Sequence, residues 1–269
     1  MDIKKYMATE GEKPLDNIVV NGGFCGILRT IACIGDSLSS GELESLMDGK
    51  VGWHDYYDLS WGQFMARDSG CTVYNFSKGG MTAKDYCEWF ASERGFYSPE
   101  LAARAYIIAL GVNDVSRCME GKLEFGSLED VHVDEPERNG DSLVGYYARI
   151  ISDYKRIQPK AKFFLVTPPR CTNVNDARAA LYDRLSEILR ALCGIFDNCY
   201  VIDLRRYGPV YDDEFIHNFY LAGHLNAAGY RLTALMMESY IDYIIRHNPK
   251  NFAQIGFVGT EFYNEKEKW

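Results

Sequence analysis

The chain of 269 residues has no pair of cysteines at CxxC spacing and no internal repeat. No apolar run approaches the ~20 residues of a membrane span. The eight cysteines are Cys25, Cys33, Cys71, Cys87, Cys118, Cys171, Cys193 and Cys199. Without paired spacing they give no zinc-ligand pattern, so no metal is expected. Cys33 and Cys71 lie in strand-like runs and Cys193 ends a helical pattern, a setting for buried reduced thiols rather than disulfides. The opening residues, MDIKKYMATEGEKPLDN, are not followed by an apolar core of signal-peptide length, so a cytoplasmic protein is expected. Positive charge is in deficit: 29 Lys and Arg stand against 38 Asp and Glu, for a net −9. That balance argues against nucleic acid and anionic membranes as partners, because phosphate binding relies on Lys and Arg. There is no GxGxxG after the first strand and no GxxxxGK[ST], which argues against a nucleotide-binding sheet.

What is present is an alternation of two patterns. Short apolar runs at 28–34, 71–76, 105–110, 161–167 and 199–204 end at glycine, proline or polar residues, as buried strands of a parallel sheet do. Between and after them, Leu143, Tyr147, Ile150, Ile151, Tyr154 and Ile157 step by three and four until Pro159. Leu181, Leu185, Ile188, Leu189 and Leu192 do the same behind a cap at Asp176. Leu232, Leu235, Met236, Tyr240, Tyr243 and Ile244 form a third stripe, and 60–69 and 82–91 are weaker helices. Strand-helix alternation predicts an α/β fold with helices on both faces of a parallel sheet and ligands at the strand C-terminal edge. Residues 1–27 read as an N-terminal arm, 28–248 as one domain and 249–269 as a surface extension. Residues 41–59 and 115–142 are polar and aperiodic and read as loops on the active edge.

Four segments on that edge carry chemistry. Ser37 follows the first strand and a glycine; at a strand-to-helix turn it is either an exposed nucleophile or a helix cap. Asn75-Phe76-Ser77-Lys78-Gly79-Gly80 ends the second strand, where a glycine N–H can approach a substrate oxygen or form an ordinary turn. Asn113, in Gly111-Val112-Asn113-Asp114, can donate to an oxyanion or bond its own backbone. His224 precedes the last helix, where it can reach a nucleophile as general base.

Together, in this order, the four segments resemble the blocks of the SGNH, or GDSL-type, serine hydrolase family. Gly35-Asp36-Ser37-Leu38-Ser39 is similar to the nucleophile block. Gly80 stands at the oxyanion glycine, Asn113 at the asparagine donor, and His224, in Gly223-His224-Leu225-Asn226, at the base. The resemblance implies a three-layer αβα sandwich with a five-stranded parallel sheet of flavodoxin-like order. It also implies hydrolysis of small-molecule carboxylic esters through an acyl-enzyme, without a cofactor. One position departs from the pattern. The family commonly places an Asp three residues before the His, and here Leu221 stands there. Asp212, Asp213 and Glu214 are the nearest upstream acids that could orient His224; a carbonyl from 219–222 is the other choice. The polar and aromatic residues of 41–59 and 115–142, among them Trp53, His54, Tyr56, Tyr57 and Arg117, suit short-acyl esters such as acetylated carbohydrates. The alternatives are a catalytically impaired binding module of the same fold, and a lipase or thioesterase for longer acyl chains.

Overall fold

The computed structural model describes residues 7–47 and 49–264. Residues 1–6 of the expected arm and 265–269 of the expected extension lie outside the described residues. In chain order the main strands are β1 (Thr30–Gly35), β2 (Glu42–Met47), β3 (Lys50–Asp55), β4 (Thr72–Ser77), β5 (Ala105–Ala109), β6 (Lys162–Val166) and β7 (Cys199–Ile202). The main helices are α1 (Ser37–Ser40), α2 (Trp61–Ser69), α3 (Val112–Met119), α4 (Leu143–Ile157), α5 (Asp176–Ile195), α6 (Asp213–Phe219) and α7 (Ala227–His247).

Five strands pair in parallel in the order β4-β1-β5-β6-β7. Counting sheet strands along the chain, this is the 2-1-3-4-5 order of doubly wound flavodoxin-like sheets. Side chains alternate between two cores, as the two-residue period of a strand requires. Ala32, Ile34, Tyr106, Ile108, Phe163 and Leu165 pack on one face with α4 and α5. Ile31, Cys33, Ala105, Ile107, Phe164 and Val166 pack on the other with α2 and α7. Both faces being covered explains why the runs read as continuously apolar. The chain turns back across β1 to place β4 on one side and β5 on the other, which opens a crevice at the C-terminal end of β1.

Most elements lie where the sequence pattern puts them, with local corrections. The cap of α5 is Asn175, whose side chain accepts from Arg178 N–H, and Asp176 is the first helical residue. Residues 41–59 are not an irregular loop: β2 and β3 form an antiparallel hairpin. The expected loop 115–142 begins inside α3. The stretch 83–93 is helical with a π turn at Tyr86–Phe90. The segment expected as a surface extension buries Phe252, Ile255 and Val258 against the core that contains α7. The arm is also tied down. Arg246 of α7 donates to Met7 O and to both Glu12 oxygens, while its Nε donates to Asp242. Asp242 and Ser239 in turn accept from Phe24 and Val19 N–H.

Candidate active site

β1 carries the chain to Ser37, the first residue of α1. Asp36 caps this helix by accepting from Leu38 N–H at 3.1 Å, so the cap role falls to Asp36 and the Ser37 hydroxyl is not used for it. Ser37 is half-buried. As the first helical residue, its N–H has no acceptor inside α1.

Gly80 sits in the turn after β4, closed by Met81 N–H donating to Lys78 O at 3.2 Å. Its φ is 73°, a left-handed conformation that glycine adopts without strain. Its own N–H takes no partner among the described residues. Asn113 stands in the first turn of α3, behind Gly111 with φ 116°. Asn113 Nδ2 donates to Met81 O at 3.2 Å and to Asp36 Oδ2 at 3.4 Å, which ties the serine, glycine and asparagine segments together. Asp114 reinforces the same corner by accepting from Ala83 N–H. Burial pushes the carboxyls of Asp36 and Asp114 up to about 7.

His224 belongs to a two-residue antiparallel pair in which it faces Leu221 directly. Ala222, with φ 53°, turns the chain between them, and Asn226 then caps α7 by accepting from Gly229 N–H. Tyr230, one turn into α7, donates to Glu42 O at 2.7 Å and lies 3.4 Å from Ser37 O, so α7 supports both the serine and the first residue of β2.

Ser37 Oγ and His224 share no hydrogen bond among the described residues. His224 Nε2 instead faces Glu42 Oε1 at 3.3 Å, and its Nδ1 is buried without a partner. The three expected orienting acids are elsewhere. Asp212 is spent on capping α6 through Phe215 N–H, and Asp213 and Glu214 are exposed. A carbonyl from 219–222 does not meet Nδ1 either. Burial holds the His224 imidazole below its ordinary value, against the opposing pull of Glu44 and Asp55.

The sequence pattern picked out Trp53 but not Glu42 or Glu44, the other residues here placed around His224. All come from the β2–β3 hairpin. Glu42 meets its Nε2, Glu44 accepts from Gly223 N–H at 2.9 Å, and the Trp53 ring lies edge-on at 4.8 Å between centroids. The available signal was Asp48-Gly49, a dipeptide favoured in two-residue hairpin turns. It was masked because β3 is almost wholly exposed and so lacks an alternating apolar face. Beneath the crevice, Asp36, Leu38, Ser39, Leu110, Pro168 and Leu225 help line a mostly apolar cavity of about 80 Å³. No group of three or more His, Cys, Asp or Glu among the described residues could hold a metal, and all eight cysteines are unpaired. No helix among them is long and apolar enough to cross a membrane.

A doubly wound sheet with serine, glycine, asparagine and histidine segments gathered at one edge defines a class of hydrolase-fold proteins. The chain belongs to the GDSL-like lipase/acylhydrolase family, whose model matches residues 33–232. Solved structures of similar fold include a family two carbohydrate esterase from Clostridium thermocellum in complex with cellohexaose. It is 15% identical, with a TM-score of 0.55, over 90% of this chain and 67% of that one. A Corynascus thermopiles (Myceliophthora fergusii) family 2 carbohydrate esterase with a carbohydrate binding domain is 18% identical, with a TM-score of 0.53, over 79% and 65%. An acetyl xylan esterase is 18% identical, with a TM-score of 0.51, over 79% and 99%. No curated protein matches the chain.

Proposed function

We propose that the chain is a serine esterase that hydrolyses short-acyl esters of carbohydrates or other small polar alcohols, with its catalytic domain at 28–248. The observation that carries this reading is the convergence of Ser37, Gly80 and Asn113 on one corner, with α1, which begins at Ser37, capped by Asp36 and supported by the helix that follows His224. Ser37 attacks the ester carbonyl while His224 takes its proton. The oxyanion receives the N–H groups of Ser37 and Gly80 and one N–H of Asn113. The Asn113 bond to Asp36, at 3.4 Å, is long and therefore cheap to exchange for the oxyanion. His224 then protonates the leaving alcohol, and water activated by the same imidazole hydrolyses the acyl-enzyme. The exposed Trp53 beside His224 offers a flat apolar surface of the kind that stacks on sugar rings. The neighbouring carbohydrate esterases lend this choice of alcohol further support.

Hydrolysis of p-nitrophenyl acetate tests the reading. Wild-type protein is expected to turn over and Ser37→Ala to be inactive while keeping its circular dichroism; equal rates would remove Ser37 from the mechanism.

A further inference from the structure

Glu42 lies between His224, the proposed base, and Gly79, the residue before the proposed oxyanion glycine. Its main chain is fixed: Gly41 ends α1, the Glu42 carbonyl accepts from Tyr230, and Glu42 pairs with Asp55 in the hairpin. Its side chain is only 15% exposed. Oε1 stands 3.3 Å from His224 Nε2. Oε2 lies so close over Gly79 that a Cβ there would sit 1.8 Å from it, so a side chain at this position would push the carboxylate aside. Gly79 adjoins Gly80. One carboxylate thus spans the space from the proposed base to the residue just before the proposed oxyanion glycine.

We propose that Glu42 is a positioning residue that closes the empty ester site and is displaced by the incoming substrate. This rests on the esterase reading of the same site. Nε2 is the nitrogen that must take the proton of Ser37. With a carboxylate against Nε2 and no acceptor at Nδ1, the resting proton belongs on Nε2, and in that tautomer the ring has no lone pair there for Ser37. Displacing Glu42 removes the acceptor that holds the proton on Nε2 and lets the ring take the Nδ1–H tautomer, which frees the Nε2 lone pair. The carboxylate is loosely held, which makes displacement cheap. Among the described residues, neither oxygen accepts a hydrogen bond, and the contact with His224 Nε2 is an ion-pair distance of 3.3 Å. The charged groups around the pair are acids: Glu44 and Asp55 of the hairpin and Asp36 of the α1 cap, with Tyr230 of α7 neutral. The cation next to Gly79, Lys78, turns away to lie over the Trp89 ring.

Two measurements on Glu42→Ala test the gate. The first is the imidazole nitrogen NMR spectrum of His224, which reports the tautomer without any turnover. Wild type is expected as Nε2–H, and the variant is expected to move toward Nδ1–H; an unchanged tautomer overturns the contact. The second is the rate at which a fluorophosphonate labels Ser37. The variant is expected to label about fivefold faster or more, because its competent fraction is larger. An unchanged rate overturns the gate, and labelling slowed roughly hundredfold or more makes Glu42 an acid partner of His224 instead. Failure of wild type and variant alike to label, with the tautomer change intact, would reject the esterase reading and keep the Glu42–His224 contact. Glu42→Gln removes the charge with little change of shape and supplies the same tautomer readout should the alanine variant not fold.

Discussion

Helix α7 has a charged cluster at each end, and the two are built differently. At its C-terminal end Arg246 is densely bonded: its donors reach Met7 O, both oxygens of Glu12 and Asp242, and the acids are almost fully covered. The guanidinium holds the Glu12 carboxyl down to about 2. Just before its N-terminal end, His224 has one ring nitrogen on Glu42, 3.3 Å away, and the other buried and unpartnered. A densely bonded buried cluster resists change and pins the arm to the domain. An unsatisfied one costs stability where it stands and leaves a proton free to move. The difference separates the end of α7 that holds the fold from the end that carries the proposed chemistry.

The sharpest break in this comparison is at the reactive end. Ser37→Ala is expected to lower kcat by roughly 10⁴-fold or more with no loss of folding, measured on p-nitrophenyl acetate. Asn113→Ala should lower kcat by about 10²–10³-fold through loss of an oxyanion donor; a change confined to KM would show that Asn113 merely binds substrate. At the other end, Arg246→Ala should cost about 3 kcal/mol in chemical denaturation, since it leaves buried carboxylates unpaired, while kcat holds. The sign of its pH dependence is set by Glu12, whose folded value near 2 lies below its ordinary value. The pair therefore contributes fully above the unfolded carboxyl value of about 4.3, and that contribution is lost as pH falls toward 2. Arg246→Ala should flatten stability against pH in that window. The acid limb of kcat/KM should lie below the ordinary imidazole value of about 6.5, because burial disfavours the charged ring; a limb above it would mean that the surrounding carboxylates dominate. The smallest effect is expected of Asp212→Asn. Asn caps helices as well as Asp, so stability should move by only a few tenths of a kcal/mol and kcat by less than about twofold. A large loss of kcat would reinstate Asp212 as the group that orients His224.

The contrast also explains what could be read from the amino acids. The sheet was legible because both of its faces are buried, so each strand is a continuous apolar run closed by a turn residue. The places of Ser37, Gly80, Asn113 and His224 along the sheet edge were legible, because strand ends and a helix start fix them. The partner of His224 was not. Sequence proximity pointed to Asp212, Asp213 and Glu214, yet Asp212 is used locally as a cap and the others face outward. Glu42 reaches His224 from 182 positions earlier, through a hairpin whose exposed strand carries no core pattern. The C-terminal segment was misread for the opposite reason. Phe252, Ile255 and Val258 are too sparse to show a period, and they are buried by filling a gap in a core that other elements make.

Intact-mass and peptide mapping after reaction with a fluorophosphonate probe tests the central claim most directly. One adduct on Ser37, absent from Ser37→Ala and strongly slowed in His224→Ala, is the predicted result. A wild-type protein that stays unlabelled, or that carries its adduct on another residue, would contradict it.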